Sequence, residues 1–259
     1  MEAIGLEWIG TRTARYEQTT TFFREILGLP IAVQRPSFVR FDLPDGSSVE
    51  VFRPGGPDDH SYFTTGPVVG IQVKDFDNAR SELNRAGATL LGEPGGEVGD
   101  YRWQHFRGPD GAVYEIVDDP DRKSTDIAIG PCGVRGFGWL GIRTTEFEGM
   151  GGFVSGLLNL ERVEQDREAA VFRFENGDIL EVFQPGGPLD HAHLTTGPMP
   201  GLVVQDLDRA ESHFSRHRIE MPQRRRFGDA GWTHFRAPDG CVYEIKRFGA
   251  DASGRWTAP

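Results

Sequence analysis

The apolar positions of this chain follow one order, a strand, then a helix, then three strands, repeated four times. Leu6 to Thr13 reads as a strand. Glu17 to Leu27 then places Phe22, Phe23, Ile26 and Leu27 at helical spacing and stops at Gly28. Ile31 to Val33, Phe38 to Leu43 and Ser48 to Arg53 follow as strands. The order restarts at Val69 to Val73. Asp75 can cap a helix whose face is Phe76, Ala79, Leu83 and Ala86, and Gly87 stops it. Thr89 to Leu91, Tyr101 to Phe106 and Ala112 to Val117 complete the second unit. Phe153, Val154, Leu157 and Leu158 mark the third helix, and Leu207, Ala210 and Phe214 the fourth. These stripes are read as core packing. The pattern is therefore α+β, four βαβββ modules in tandem.

The modules are copies of one another. A Gly-containing turn is followed four residues later by Glu on an apolar strand, at Gly46 and Glu50, Gly111 and Glu115, Gly177 and Glu181, and Gly240 and Glu244. Longer phrases also recur: Glu50 to Pro57 returns as Glu181 to Pro188, and Trp103 to Arg107 as Trp232 to Arg236. The chain is thus a duplication, with halves 1–118 and 136–250, a linker at 119–135 rich in Pro and Gly, and a tail at 251–259. Whether modules pair within a half or across the halves is open at this level.

Composition narrows the function. The chain of 259 residues carries 28 basic and 39 acidic residues, a formal charge of −11, so nucleic acid is not an expected partner. No apolar run reaches the roughly 18 residues of a membrane helix. With the first strand starting almost at Met1, no signal peptide is expected. Cys132 and Cys241 give no disulfide framework, and a reducing cytoplasm is expected.

Four βαβββ modules with a Glu on each last strand resemble the vicinal oxygen chelate superfamily of glyoxalases, bleomycin resistance proteins and extradiol dioxygenases. The residues that carry the likeness are Phe106 to Glu115 with its twin Phe235 to Glu244, and the junctions Val73-Lys74-Asp75 and Val204-Gln205-Asp206. The resemblance implies two tandem domains, cup-shaped mixed sheets with helices outside, and a small-molecule ligand in the cup. It also implies a metal held by His of first strands and Glu of last strands. Here the first-strand positions hold Trp8, Val68, Trp139 and Met199, so all four imidazoles are missing.

The candidate catalytic residues are Glu115, Glu244, Glu50 and Glu181, with His105 and His234 ten residues before two of them. A desolvated carboxylate can act as an acid or base near neutral pH, and a His beside it can polarise a substrate oxygen. The competing reading of each Glu is an inward carboxylate paired with Arg, and of each His a bond across its hairpin. Trp8, Trp139, Trp103 and Trp232, with His60 and His191, are candidate substrate-binding residues for an aromatic ligand. Trp8 and Trp139 read equally as core. Asp59-His60 and Asp190-His191 read as polar loops with local contacts. His193 has Tyr62 at the matching place in the first half. No metal or other cofactor is expected. The alternative is a rebuilt metal site from Glu50, Glu115 and His105, and from Glu181, Glu244 and His234. Three functions stay open: a metal-independent isomerase, cyclase or lyase, a protein that sequesters an antibiotic-like compound, and a metal enzyme. A monomer or a homodimer fits a four-module chain.

Overall fold

The computed structural model describes residues 1–56, 60–63, 66–97, 100–122, 125–187 and 190–247; Asp59 and the tail at 251–259 lie outside them. The first module is β1 (Ala3–Arg12), α1 (Tyr16–Thr21), β2 (Ile31–Arg35), β3 (Phe38–Asp42) and β4 (Ser48–Phe52). The second is β5 (Val68–Val73), α2 (Phe76–Arg85), β6 (Thr89–Gly95), β7 (Arg102–Arg107) and β8 (Val113–Asp118). The third is β9 (Val134–Arg143), α3 (Phe147–Gly152), β10 (Glu161–Gln165), β11 (Ala169–Arg173) and β12 (Ile179–Phe183). The fourth is β13 (Met199–Val204), α4 (Leu207–Arg216), β14 (Gln223–Phe227), β15 (Ala230–Arg236) and β16 (Val242–Arg247). All four modules follow the order expected from the sequence.

Local chemistry accounts for the helices. Asp75 and Asp206 cap α2 and α4, accepting from the N–H groups of Asn78 at 3.0 Å and Arg209 at 2.9 Å. The first and third helices run on as single π turns over Phe22–Ile26 and Phe153–Leu157. There the Leu27 N–H reaches the Phe22 carbonyl and the Leu158 N–H the Phe153 carbonyl, each at 3.1 Å. The wider turn buries Phe22 beside Phe23, and Phe153 beside Val154.

The strands form two eight-stranded sheets, ordered β14-β15-β16-β13-β1-β4-β3-β2 and β10-β11-β12-β9-β5-β8-β7-β6. Modules 1 and 4 therefore share one sheet, and modules 2 and 3 the other. β1 joins β13 and β5 joins β9, both antiparallel, so the central ladder bonds of each sheet run between the halves of the chain. The linker separates sequence repeats, while each sheet takes one module from either side of it.

One large core takes the buried faces of all four helices, including Phe23, Phe76, Phe153 and Phe214. Two smaller clusters stand apart from it. One holds Trp8, Phe52, Met199 and Val242 of modules 1 and 4; the other includes Val113, Trp139, Phe183 and Leu194, around modules 2 and 3. No helix contributes to either cluster, which fits cups with helices outside. Reciprocal turns tie the sheets together. Asp178 of module 3 accepts from the Leu6 N–H at 3.0 Å, and Asp45 of module 1 accepts from the Phe137 N–H at 3.2 Å. Arg122 lies between them, 2.7 Å from Asp178 and 3.7 Å from Asp45.

Candidate functional site

Each cup is floored by a tryptophan lying over glycine. Along β1 the side chains of Trp8 and Gly10 share a face, and along β9 those of Trp139 and Gly141 do. A Cβ on Gly10 would come within 2.3 Å of the Trp8 ring, and one on Gly141 within 1.9 Å of the Trp139 ring. Gly201 and Gly70, on the strands beside them, would crowd the same two residues at 2.9 and 2.8 Å. The motif Trp-x-Gly on a first strand is the sequence signal for this floor. The Trp139 indole N–H donates to Glu181 Oε2 at 2.8 Å, and Trp8 likewise hydrogen-bonds Glu50. The indoles thus stand where the resemblance implies imidazole ligands, and they hold carboxylates such a metal would use. A metal bound by first-strand and last-strand residues does not fit this chain.

The strand order corrects the groupings drawn from the sequence. Glu50 comes to Glu244 and His234, not to Glu115 and His105; Glu181 comes to Glu115 and His105, not to Glu244 and His234. The physical reason is that β4 joins the β1 side of one sheet while β8 joins β5 in the other. The ten-residue spacing sets each His directly opposite its Glu across a hairpin, as His105 with Glu115 and His234 with Glu244. His234 Nε2 lies 3.1 Å from Glu244 Oε2 and forms a hydrogen bond. His105 Nε2 lies 3.2 Å from Glu115 Oε2 without forming a hydrogen bond, and the buried Tyr101 hydroxyl is the neighbour whose hydrogen bond opposes the upward shift of Glu115.

In the cup of modules 1 and 4, the loop after β4 folds inward. The His60 ring stacks on Phe63 at 4.8 Å, and Phe63 meets Trp8 edge-on at 6.3 Å. The Tyr62 hydroxyl reaches His234 Nδ1 at 2.6 Å and His60 Nδ1 at 3.0 Å, and donates to Gln223. Trp232 stacks on His234 at 4.4 Å. Arg40, buried, faces Glu50 across β3 and β4, and buried Lys246 lies among Glu244, Glu50 and Glu7. Burial pushes Glu50 up to about 7 against the pull of Lys246, and pushes Glu7 up to about 7 as well.

The cup of modules 2 and 3 is built differently. The loop after β12 brings in His191 and His193, and Arg143 binds Asp190 beside them. The Asp190 carboxylate is therefore engaged by Arg143 and by the Gly186 N–H at 2.7 Å. His193 Nε2 lies 2.9 Å from His105 Nδ1. Nitrogens of His105, His191 and His193 all fall within 4.8 Å of one another. Trp103 packs edge-on against His191 at 5.0 Å and lies 4.9 Å from His105. Val171 and Val117 occupy the places of Arg40 and Lys246. Among the described residues no Lys or Arg pairs with Glu115 or Glu181. Burial raises Glu115 far above the carboxylate range and Glu181 to about 7, the latter opposed by the Trp139 bond. Burial lowers His105 and His193 to about 4, so both imidazoles are neutral at neutral pH.

The structure gathers the residues singled out from the sequence into two groups, one on modules 1 and 4 and one around modules 2 and 3. Sequence reasoning missed Tyr62, Tyr101, Arg40 and Lys246, and gave no role to His193. The alternation His191-x-His193 on the loop was the available sign. A separate cleft of about 230 Å³, lined by Met1, Glu2, Asn159 and Arg209 among others, contains none of the residues singled out from the sequence. Among the described residues no helix is long and apolar enough to cross a membrane.

Residues 5–116 match a family model described as the Glyoxalase/Bleomycin resistance protein/Dioxygenase superfamily. A putative dioxygenase from Bacillus subtilis shares the fold at TM-score 0.72, with 16% identity over 95% of this chain and 85% of that one. Glyoxalase I from Zea mays does so at TM-score 0.64, with 15% identity over 93% and 91%. No curated protein matches the chain in sequence.

Proposed function

We propose, for a chain that belongs to the glyoxalase, bleomycin resistance protein and dioxygenase superfamily, that the cup of modules 2 and 3 performs acid–base chemistry on a small oxygenated, aromatic molecule. The observation that carries this reading is the convergence of Glu181, Glu115 and His105 on the Trp139 floor, with no cation to hold either carboxylate ionised. A carboxyl near 7 is half-ionised at neutral pH and can both take and return a proton. Glu181 is assigned the proton transfer, His105 the polarisation of a substrate oxygen, and Trp103 and Trp139 the flat apolar walls. Isomerisation, cyclisation and elimination all need this pairing of base and hydrogen-bond donor. In the other cup Glu50 is likewise pushed up to about 7, and what distinguishes it is the buried Arg40 facing Glu50 and Lys246 beside it; turnover is assigned to the cup that lacks these cations.

A second reading, sequestration, is favoured by the aromatic packing of His60, Tyr62 and Phe63 in the cup of modules 1 and 4. One experiment separates the two. The protein is incubated with a panel of small aromatic compounds bearing two adjacent oxygens, and both binding and recovered products are measured by mass spectrometry. Turnover that falls about 10²–10⁴-fold in Glu181→Gln supports the acid–base role. Stoichiometric binding with every compound recovered unchanged sinks it and leaves sequestration.

A further inference from the structure

We propose that His105, His191 and His193 bind one divalent transition-metal ion, and that only the cup of modules 2 and 3 does so. The site is distinct from the position the family resemblance implies. Its ligands come from β7 and the loop after β12, whereas the first-strand and last-strand positions are closed by indole–carboxylate bonds. It does not rest on the acid–base reading, because Glu181 is not among its ligands, but it replaces the role given there to His105: a ring with Nδ1 on a metal and its Nε2–H on Glu115 has no donor left for a substrate oxygen.

The donor set suits the ion. Three neutral imidazoles are borderline ligands for Zn²⁺, Co²⁺, Ni²⁺ or Cu²⁺ and a poor set for Mg²⁺ or Ca²⁺. With metal–nitrogen bonds of about 2.0–2.1 Å, tetrahedral geometry sets nitrogens about 3.3 Å apart. The 2.9 Å approach of His193 to His105 is slightly closer than this and opens with a small ring rotation, and the 4.8 Å spread of the set closes with a ring movement of His191. His105 is buried while His191 and His193 are partly exposed, so the set is open to an exogenous ligand on the solvent side.

The carboxyl of Glu115 stands behind the set, with no Lys or Arg partner among the described residues. Its Oε2 stands 3.2 Å from His105 Nε2, which makes no hydrogen bond now. The hydrogen shared between His105 Nδ1 and His193 Nε2 has to leave when a metal takes those atoms. On His105 it moves to Nε2 and points at Glu115, the carboxylate–histidine–metal arrangement that orients a ligand and raises its basicity. Asp190, gripped by Arg143 and the Gly186 N–H, holds the loop that delivers the other two rings. The opposite cup replaces His193 by Tyr62 and adds Lys246 and Arg40, so it has two imidazoles and its own cations.

The test uses the full chain, stripped with a chelator and then dialysed against micromolar Co²⁺ or Zn²⁺. Metal content is read by inductively coupled plasma mass spectrometry, and Co²⁺ geometry by visible absorption. About one equivalent is expected in the parent protein and in His60→Ala. His193→Tyr, which installs the residue of the other cup, is expected to lose it while keeping its circular dichroism. Glu115→Gln is expected to weaken affinity about 10–100-fold without changing the stoichiometry. A parent protein that holds no metal, a His193→Tyr protein that still holds one equivalent, or loss of metal in His60→Ala overturns the assignment. None of these outcomes bears on whether Glu181→Gln abolishes turnover.

Discussion

The two cups share a frame and differ in charge. In both, a Trp lies over glycine and donates to a Glu, and a His faces a second Glu across a hairpin. In the cup of modules 1 and 4, Arg40 and Lys246 are built in, and a tyrosine hydroxyl ties the two imidazoles together. In the cup of modules 2 and 3 those cations are valines, and a third imidazole replaces the tyrosine. The duplication thus preserved the scaffold and let the electrostatics diverge. One cup sets buried cations beside its carboxylates, and the other does not.

Five substitutions press on that difference. The largest effect is expected from Lys246→Met, which strips a buried cation from Glu7, Glu50 and Glu244. At pH 8 it should cost about 3–5 kcal/mol in denaturant unfolding. The cost should shrink by pH 5, where Glu7 and Glu50, both near 7 in the folded protein, are already protonated. An equal cost at both pH values would mean that Lys246 acts through packing alone. Next in size, Gly141→Ala should displace the Trp139 ring, at about 1–3 kcal/mol, with a matching change in tryptophan fluorescence. Gly10→Ala should do the same at Trp8, and a fluorescence change at only one of the two would break the equivalence of the floors.

The smallest stability effect is expected from Glu181→Gln, and its sign is the informative part. Glu181 is raised from an ordinary 4.5 to about 7, so between these values the folded state holds a proton that the unfolded state has lost. Stability therefore falls as pH rises through that window, and is lowest above 7. Glu181→Gln removes the penalty and should stabilise the protein by on the order of 1–3 kcal/mol at pH 8, with little change at pH 4.5. Glu50→Gln should gain less, because it deprives Lys246 of a partner. Equal melting curves for the parent and Glu181→Gln at pH 8 would show that the Glu181 carboxylate is not held in a desolvated site.

The elements were legible because each is fixed by nearby residues. Asp75 and Asp206 cap their helices, Gly87 ends one at φ +78°, and the Gly turns at positions 46, 111, 177 and 240 all take positive φ. The π turns at Phe22 and Phe153 were not legible, since a stripe of Phe and Leu reads as α-helix whether or not one residue is looped out. The pairs His105 with Glu115 and His234 with Glu244 were foreshadowed by spacing, because a hairpin of known turn sets its own register. The grouping of Glu50 with Glu115 failed because they lie on strands of different sheets.

By itself, then, the sequence determined four βαβββ units, their duplication, and the carboxylates, imidazoles and indoles that recur at matching places in the two halves. These depend on contacts within a hairpin or a helix, over a few residues. Only the tertiary structure decided that modules 1 and 4 share one cup and modules 2 and 3 the other, and that Lys246 lies among one set of carboxylates while His193 joins His105 beside the other. Those outcomes depend on the β1–β13 and β5–β9 ladders and on where two loops land. Repeats of one βαβββ design offer similar edges and apolar faces to every partner, so pairing is chosen by the closure of the whole chain.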